Sequence, residues 1–182
     1  NTAGLPAALR MANHVLVENE YTLEYAARFC PKVTIITGPI DTQRYVRTGS
    51  PSCEVTVLGW IGSATTLPYL EEIAEPLGEL GAQHEGIRLS IVGAAGIRIE
   101  GLVIESTPWS LETEVGELNR FHIGLMPLPD DPWTRGKGGY KLLQYMSMGL
   151  PVVSSPVGIN SHLVNHGQNG FLAADNREWL EY

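Results

Sequence analysis

Residues 133–172, WTRGKGGYKLLQYMSMGLPVVSSPVGINSHLVNHGQNGFL, alternate between segment types in an order that predicts a fold. A loop rich in glycine, arginine and lysine runs into an amphipathic helix, which is predicted over residues 137–148 and ended by Gly149 and Pro151. A short apolar strand is predicted at 152–154, followed by a turn with proline and glycine, another helix and a strand at 170–173. A basic, glycine-rich loop that opens a helix beside a parallel sheet is a typical site for phosphorylated ligands.

The rest of the chain continues the alternation of strand and helix patterns. Strands are predicted at 14–17 and 32–36, with a helix over 20–29 between them that Asn19 caps. A small, turn-forming segment at 48–54 is interpreted as a linker between domains. Further strands are predicted at 54–60, 88–92, 102–104 and 123–127, with a long helix over 65–81 and another from Ser110 to about Phe121. This order predicts a doubly wound α/β fold whose parallel strands end at one ligand-binding edge.

Composition narrows the classes of partner and compartment. The 182 residues, 43% of them hydrophobic, suffice for one full α/β domain and part of another. The formal charge of −8 and the absence of a basic run argue against nucleic acid or an anionic membrane surface as main partners. Two cysteines without a CxxC pair favour a reduced, cytoplasmic protein. No apolar run approaches about 18 residues, so no transmembrane helix is predicted.

The first residue gives one further expectation. The chain begins at Asn1 rather than at methionine, and in the middle of a pattern. We therefore expect it to be part of a longer protein, which leaves an upstream signal peptide open.

The loop and helix at 135–144 form the strongest candidate site. Lys137, Lys141 and Gln144 follow at i, i+4 and i+7, so that they share one face of the predicted helix. Arg135 and the neighbouring glycines add a further cation and free backbone amides, which together suit a diphosphate. Gln144 can exchange hydrogen bonds with a sugar hydroxyl. The alternative is that this polar face is merely solvated.

Two other segments follow predicted strands. Residues 59–63 contain Gly62 and Ser63, where glycine lets a phosphate approach the backbone; a simple tight turn is the alternative, since the GxGxxG pattern is absent. Residues 92–96 form a similar strand-to-loop turn. Trp109, just before the predicted cap Ser110, either stacks on a base or packs against the protein.

The spacing of acidic residues and histidines in the sequence does not indicate a metal site. Asp130 and Asp131 lie side by side in a proline-rich loop, which is more typical of solvated carboxylates than of ligands. His162 and His166 are spaced at i, i+4, but no third ligand lies within reach along the sequence. We therefore expect no metal site and no other cofactor.

With these segments in place, the chain resembles the group 1 family of retaining GT-B glycosyltransferases. Residues 13–45 resemble the end of that family's N-terminal, acceptor-side domain, and residues 55–173 resemble its C-terminal, donor-side domain. Within the latter, HIGLMPLPDDPWTRGKGGYKLLQYMSMGLPVVSSPVGINSHLVNHGQNGFL is similar to a bacterial branch of the family. The resemblance implies a Rossmann-like donor domain over 55–182, truncated at its end, with the linker at 48–54 and a remnant of the acceptor-side domain over 1–47.

The resemblance also implies a substrate and its contacts. A nucleotide-diphosphate sugar would lie in the cleft between two Rossmann-like domains, as a substrate that needs no metal. Its ribose would meet Gln144, and its base would lie near Trp109. The residues implied to bind the donor diphosphate are Gly62, Ser63, Arg135, Lys137, Gly138, Gly139 and Lys141. Cations and helix-terminal amides would stabilise the charge that the leaving diphosphate gains.

Two departures from the family's pattern leave the catalytic residues open. The family commonly carries a Glu-x7-Glu pair, and the matching positions are Gly136 and Gln144. Its first loop often supplies an arginine and a lysine, and the matching positions are Trp60 and Thr66. We hypothesise that the lysines of the 135–144 site compensate.

The resemblance implies a bacterial enzyme of surface polysaccharide or glycolipid assembly. The saccharide or glycolipid acceptor, and any peripheral contact with a membrane, would involve the missing part of the acceptor-side domain. The 182-residue chain alone is accordingly not expected to reach enzymatic turnover of about 1 per second. An epimerase-like enzyme and a non-catalytic nucleotide-binding module on the same fold are the alternatives, and a nicotinamide oxidoreductase is more distant.

Overall fold

The computed structural model describes residues 4–49 and 54–182. The chain opens with helix α1 (Gly4–Met11), strand β1 (Val15–Val17), helix α2 (Glu20–Ala26) and strand β2 (Val33–Ile35). Strands β1 and β2 pair in parallel as a small sheet of their own. Asn19 caps α2, since its side-chain oxygen accepts the Thr22 N–H at 2.9 Å. The predicted cap and both predicted strands are therefore confirmed, and α1 is an addition.

The larger sheet has six parallel strands. They are β3 (Thr56–Ile61), β4 (Ile87–Val92), β5 (Val103–Thr107), β6 (Ile123–Met126), β7 (Val152–Ser154) and β8 (Gly170–Leu172). Their order, β5-β4-β3-β6-β7-β8, starts from β3 and extends in both directions. The predicted doubly wound, Rossmann-like sheet is confirmed. The strand order reverses between β3 and β6, and ligands of open α/β sheets bind at the carboxyl ends of the strands at such a reversal.

Helices connect these strands and cover the sheet. They are α3 (Leu67–Glu71), α4 (Ala74–Gln83), α5 (Glu114–Leu118), α6 (Pro132–Arg135), α7 (Tyr140–Ser147), α8 (Asn160–Leu163) and α9 (Asn176–Glu181). The prediction of one long helix over 65–81 is wrong, because the chain breaks between α3 and α4 at Ile73. Pro76 explains the break: it has no N–H for the carbonyl of Glu72, and it fits only in the first turn of a new helix.

The helix predicted over 137–148 begins later than expected. Gly139 precedes α7 with a φ of 71°, a left-handed conformation that separates the glycine-rich loop from the helix. Residues 132–135 form the separate helix α6, which Asp131 caps. The loop 136–139 therefore lies between two helices. The prediction that Lys137 shares a helix face with Lys141 and Gln144 is wrong, because Lys137 precedes α7.

Two apolar cores lie on opposite faces of the large sheet. Successive strand residues point to opposite faces, so that Ile61 packs with Phe121 and Tyr145 on one side while Trp60 packs with Leu89 on the other. Tyr45, from the N-terminal segment, is buried in the first of these cores. The segment before the predicted linker is thereby packed onto the larger sheet.

The close contact between β3 and the Phe121 ring provides a test of this packing. A Cβ added at Gly59 would overlap the ring of Phe121. We expect Gly59→Ala to lower the free energy of unfolding by about 1–3 kcal/mol in chemical denaturation, because this core is overpacked by any side chain there. Gly116→Ala in α5 is the matched control. Apart from its chain neighbours and the backbone of its own helix, no atom lies within 4 Å of its added Cβ, so this variant should be neutral or more stable. Equal effects of the two substitutions would contradict the packing.

Part of the predicted linker lies outside the described residues, which omit 50–53. Of its remainder, Thr48 donates its N–H to the Asn119 side chain at 2.8 Å. The domain boundaries therefore stay a prediction. Cys30 is a buried free thiol, and Cys53 lies outside the described residues. Within 4–49 and 54–182, every helix is too short or too polar to span a lipid bilayer.

Candidate functional site

The loops after β3, β4 and β5 converge at the carboxyl edge of the sheet. Gly93 has a φ of 91°, and a Cβ added to it would overlap the Gly62 carbonyl. The same Cβ would lie 3.2 Å from Cβ of Trp109, which follows β5. The indole of Trp109 is half exposed (52%). The structure thus brings Gly62 and Trp109, two residues of the predicted site, to one edge.

Lys141 reaches this edge from α7. Its Nζ lies 4.4 Å from the centroid of the buried Trp60 ring. A Cβ added at Gly62 would approach this Nζ to 2.8 Å, so the glycine leaves room for the ammonium group. Stacking on the indole gives the ammonium a cation–π contact and little hydration.

Lys137 lies beside it, and its Nζ is 5.5 Å from the Tyr69 ring centroid and 5.9 Å from that of Trp133. Among the described residues, no carboxylate oxygen lies within 4.0 Å of either lysine nitrogen. Burial, and next the charge of Lys137, lower the pKa of Lys141 to about 8. Neither ammonium group therefore has an ion-pair partner among the described residues, although the Glu18 carboxylate lies against the neighbouring Gly138.

The start of α7 adds backbone donors to these cations. Within the described residues, the N–H groups of Gly138, Gly139 and Tyr140 donate to no protein acceptor. Unpaired amides at a helix N-terminus carry a partial positive charge and attract anions. We call Gly62, Lys137, Gly138, Gly139 and Lys141 the cationic cradle. Its lysines and glycines were all predicted from the sequence.

Arg135, unlike the two lysines, is paired with a carboxylate. Its guanidinium binds Asp130 through two contacts, Nε to Oδ1 at 2.5 Å and Nη2 to Oδ2 at 2.9 Å. The arginine lowers the pKa of the Asp130 carboxyl. The neighbouring Asp131 caps α6 by accepting the N–H groups of Trp133 and Thr134 at 2.7 and 2.8 Å. A donor phosphate would have to compete with Asp130 for Arg135, and its predicted role stays a prediction.

Ser63 follows β3 and caps the short helical turn at residues 64–66. Its N–H donates to Thr66 Oγ1 at 3.2 Å, and its hydroxyl shares a hydrogen bond with Thr65 Oγ1 at 2.8 Å. Both contacts are exposed. The predicted role of Ser63 in phosphate binding likewise stays a prediction.

Gln144 is buried within a network that the sequence analysis missed. Only 3% of it is exposed, and its amide donates to Tyr45 Oη at 3.0 Å and to Glu114 Oε1 at 2.9 Å. Both amide hydrogens are therefore used inside the protein, which leaves only the carbonyl oxygen for a ribose hydroxyl. A ribose contact at Gln144 stays a prediction, restricted to that oxygen.

Glu114 is the centre of this network and is 4% exposed. It accepts the Trp109 indole N–H at 3.0 Å and the Tyr45 hydroxyl at 2.8 Å, and it forms an ion pair with Arg44 at 3.5 Å. Burial, and then the bond to Glu114, raise the pKa of the Tyr45 hydroxyl. The carboxylate thus fixes Trp109 and Gln144 relative to each other.

Neither of the two histidines considered for zinc is free of protein contacts. His162 Nε2 lies 2.9 Å from a carboxylate oxygen of Glu20. His166 Nδ1 accepts the N–H of Leu172 at 3.1 Å. Within 4–49 and 54–182, no three potential ligands from His, Cys, Asp and Glu come together.

The fold and this edge define an α/β protein that presents a cationic cradle at the reversal of its strand order. Residues 56–181 match the family model described as Glycosyl transferases group 1. This match covers more than half of the chain, and the protein therefore belongs to the group 1 glycosyl transferases. No match was found among curated proteins.

Solved structures share the fold at low sequence identity. Anabaena HepE, solved with UDP and glucose, is 19% identical with a TM-score of 0.68, over 96% of this chain and 53% of that chain. A variant of Staphylococcus aureus TarM, solved with UDP among other ligands, is 14% identical with a TM-score of 0.69, over 97% and 38%. The C-terminal domain of Francisella tularensis LpcC, a group 1 glycosyl transferase, is 11% identical with a TM-score of 0.57, over 79% and 85%. The chain thus spans about half of HepE.

Proposed function

We propose that this chain is the donor-binding part of a glycosyltransferase that takes a sugar from a nucleotide-diphosphate sugar and transfers it with retention. The cationic cradle carries this proposal. Two lysines without a carboxylate partner and a set of unpaired amides meet at the edge where an open α/β sheet binds ligands. A diphosphate, which is anionic and accepts hydrogen bonds, suits these cations and amides.

The remaining groups at the edge suit the other parts of such a ligand. Trp109 is half exposed and held by Glu114, so its ring offers a face to a base. HepE and TarM were both solved with UDP, which supports a nucleotide ligand for this fold. We expect a saccharide or glycolipid acceptor to bind through a further part of the acceptor-side domain. A cytoplasmic location and a role in bacterial polysaccharide assembly belong to the same proposal.

The chemistry available to the cradle is electrostatic. When a sugar leaves a nucleotide-diphosphate, negative charge grows on the diphosphate oxygens. The ammonium groups of Lys137 and Lys141 and the amides at the start of α7 are fixed before reaction, so they can stabilise this charge without reorganising. The cradle supplies these contacts from protein groups alone. The acid or base that assists the acceptor stays open.

Calorimetric titration of the 182-residue chain with UDP, GDP, ADP and their sugar conjugates tests the proposal. Selective binding of one nucleotide would support a donor domain and identify the base. The absence of binding to any of them would overturn the donor-binding role of this chain. Binding without donor hydrolysis or transfer by a protein that includes the acceptor-side domain would favour a non-catalytic module.

The affinity for a nucleoside diphosphate should fall as the pH rises above about 8. The bound diphosphate favours protonated Lys141, so its pKa is higher in the complex than the value of about 8 in the free protein. Below pH 8 the lysine is already charged. Above it, binding must take up a proton, and affinity falls by at most about tenfold per pH unit. Titrations between about pH 7 and pH 9.5, in buffers of different ionisation enthalpy, measure this proton uptake. The phosphate group ionises at about pH 6, so it does not contribute to the uptake in this range.

Lys141→Arg is the control for this pH dependence. A guanidinium stays charged throughout the range, so the variant should show no proton uptake at the higher pH. The same uptake in the variant and in the wild type would contradict the assignment to Lys141.

A further inference from the structure

Asn19 is a buried side chain that joins the N-terminal segment to the glycine-rich loop. It lies between β1 and α2 and is 5% exposed. Its Oδ1 accepts the backbone N–H and the hydroxyl of Thr22, each at 2.9 Å, which caps α2. Capping uses only the oxygen end of the amide. The two N–H groups of Asn19 Nδ2 are therefore available to donate hydrogen bonds to other acceptors.

Those donors bind the backbone of the loop that carries Lys137. Asn19 Nδ2 donates to the carbonyl of Arg135 at 3.2 Å and to the carbonyl of Lys137 at 2.9 Å. These partners lie more than a hundred residues away in the sequence. Because one end of the amide must accept and the other must donate, the network fixes the orientation of the side chain.

The two bonds determine the direction of a cradle amide. No cis peptide bond occurs in the described residues, so the carbonyl of Lys137 and the N–H of Gly138 point in opposite directions. Since Asn19 holds this carbonyl, the N–H of Gly138 is directed away from Asn19. The Glu18 carboxylate also lies against this loop, because a Cβ added at Gly138 would overlap it.

We infer that Asn19 is a positioning residue that holds the 135–138 loop in the conformation in which its amides and Lys137 bind the donor diphosphate. This inference rests on the proposed function for the ligand. It also stands on geometry that exists without the ligand, namely the two hydrogen bonds to the loop. Asn19 belongs to the N-terminal segment. The packing of that segment against the larger sheet and the conformation of the 135–138 loop therefore depend on each other.

Asn19→Asp separates this role from helix capping. The carboxylate has nearly the same shape and still accepts the Thr22 N–H, but it donates to neither loop carbonyl. We expect the dissociation constant for the nucleoside diphosphate to rise at least about tenfold. Asn19→Ser caps the helix without placing a negative charge beside the carbonyls, and the same direction of change is expected for it.

Asp175→Ala provides the matched control, because Asp175 caps α9 by accepting the Glu178 N–H at 2.9 Å and does not contact the loop. It should lower the melting temperature and leave the nucleotide affinity unchanged. If the wild-type protein binds nucleotide and both Asn19 variants bind it equally well, the positioning role of Asn19 is overturned while the proposed function still holds.

A second measurement needs no nucleotide. In Asn19→Asp, the NMR order parameters of the Gly138 and Gly139 amides should fall from about 0.85, the value of a rigid backbone, to below about 0.6. The order parameters of the α2 amides should stay high, because the cap of α2 is kept. Unchanged order of these amides would overturn the inference. If the wild type binds no nucleotide, the proposed function fails, and the order parameters still decide whether Asn19 positions the loop.

Discussion

Replacing both Lys137 and Lys141 by alanine is expected to weaken nucleoside diphosphate binding by more than about a hundredfold. Each ammonium group can make a charge-assisted contact with the diphosphate, and such contacts contribute about 1.5–3 kcal/mol. Lys137→Ala alone should weaken binding by well over about tenfold, which is the effect of about 1.4 kcal/mol. Calorimetry on the two single variants and the double variant measures these losses.

Lys32 provides the matched control for these variants. It is the third of three lysines in the chain and lies exposed before β2, away from the cradle. Lys32→Ala should bind nucleotide like the wild type, although it changes the net charge as much as each single cradle variant does. If the cradle variants bind as tightly as Lys32→Ala, the lysines do not hold the phosphates. Neither lysine has an ion pair to lose among the described residues, but Lys141→Ala removes the cation–π contact with Trp60, so the melting temperatures of the variants are measured alongside their affinities.

Replacing Glu114 by alanine is expected to lower the free energy of unfolding by about 3–5 kcal/mol. The carboxylate is 4% exposed and accepts hydrogen bonds from Tyr45, Trp109 and Gln144. Its loss leaves two buried donors, the Tyr45 hydroxyl and the Gln144 amide, without this acceptor, and it removes a partner of the part-exposed Trp109 and Arg44. Unsatisfied buried groups cost far more than the net contribution of an intact hydrogen bond. Chemical denaturation of the variant measures the loss.

Glu105→Ala is the control, because its carboxylate is 43% exposed and pairs with Arg120 at 2.6 Å on the surface. Exposed ion pairs contribute at most about 1 kcal/mol, so this variant should lose little stability. A similar loss for both glutamates would contradict the central role of Glu114. A nearly neutral Glu114→Ala would do so as well.

The alternation of strand and helix could be predicted because each element of the large sheet has its own local signal. The strand at Val152–Ser154 lies between clear stop signals, and its predicted bounds are confirmed. The break between α3 and α4 was also visible as Pro76, but the apolar stripe through Leu70 and Leu77 continues across it. An apolar stripe indicates which residues are buried against the sheet, but it does not show that the helix is continuous.

The candidate site was predictable only where its residues are close along the chain. Lys137 and Lys141 are four residues apart, but Lys137 lies in the loop before α7, so the helical spacing on which the prediction rested does not explain their proximity. The structure adds Trp60 beneath the second lysine. The contacts of Gln144 could not be predicted, because Tyr45 and Glu114 are 99 and 30 residues away from it. The pairing of Asn19 with the 135–138 loop depends likewise on how the N-terminal segment packs.

The most direct test of the account is an NMR titration of the 182-residue chain with UDP, GDP and ADP. If the cationic cradle holds the diphosphate, the largest shifts will fall on the amides of Gly62, Gly138 and Gly139, and the Lys137→Ala variant will lose them at the same nucleotide concentration. A diphosphate site at the cationic cradle is contradicted if no nucleotide shifts these amides, or if the shifts cluster elsewhere and persist in the variant.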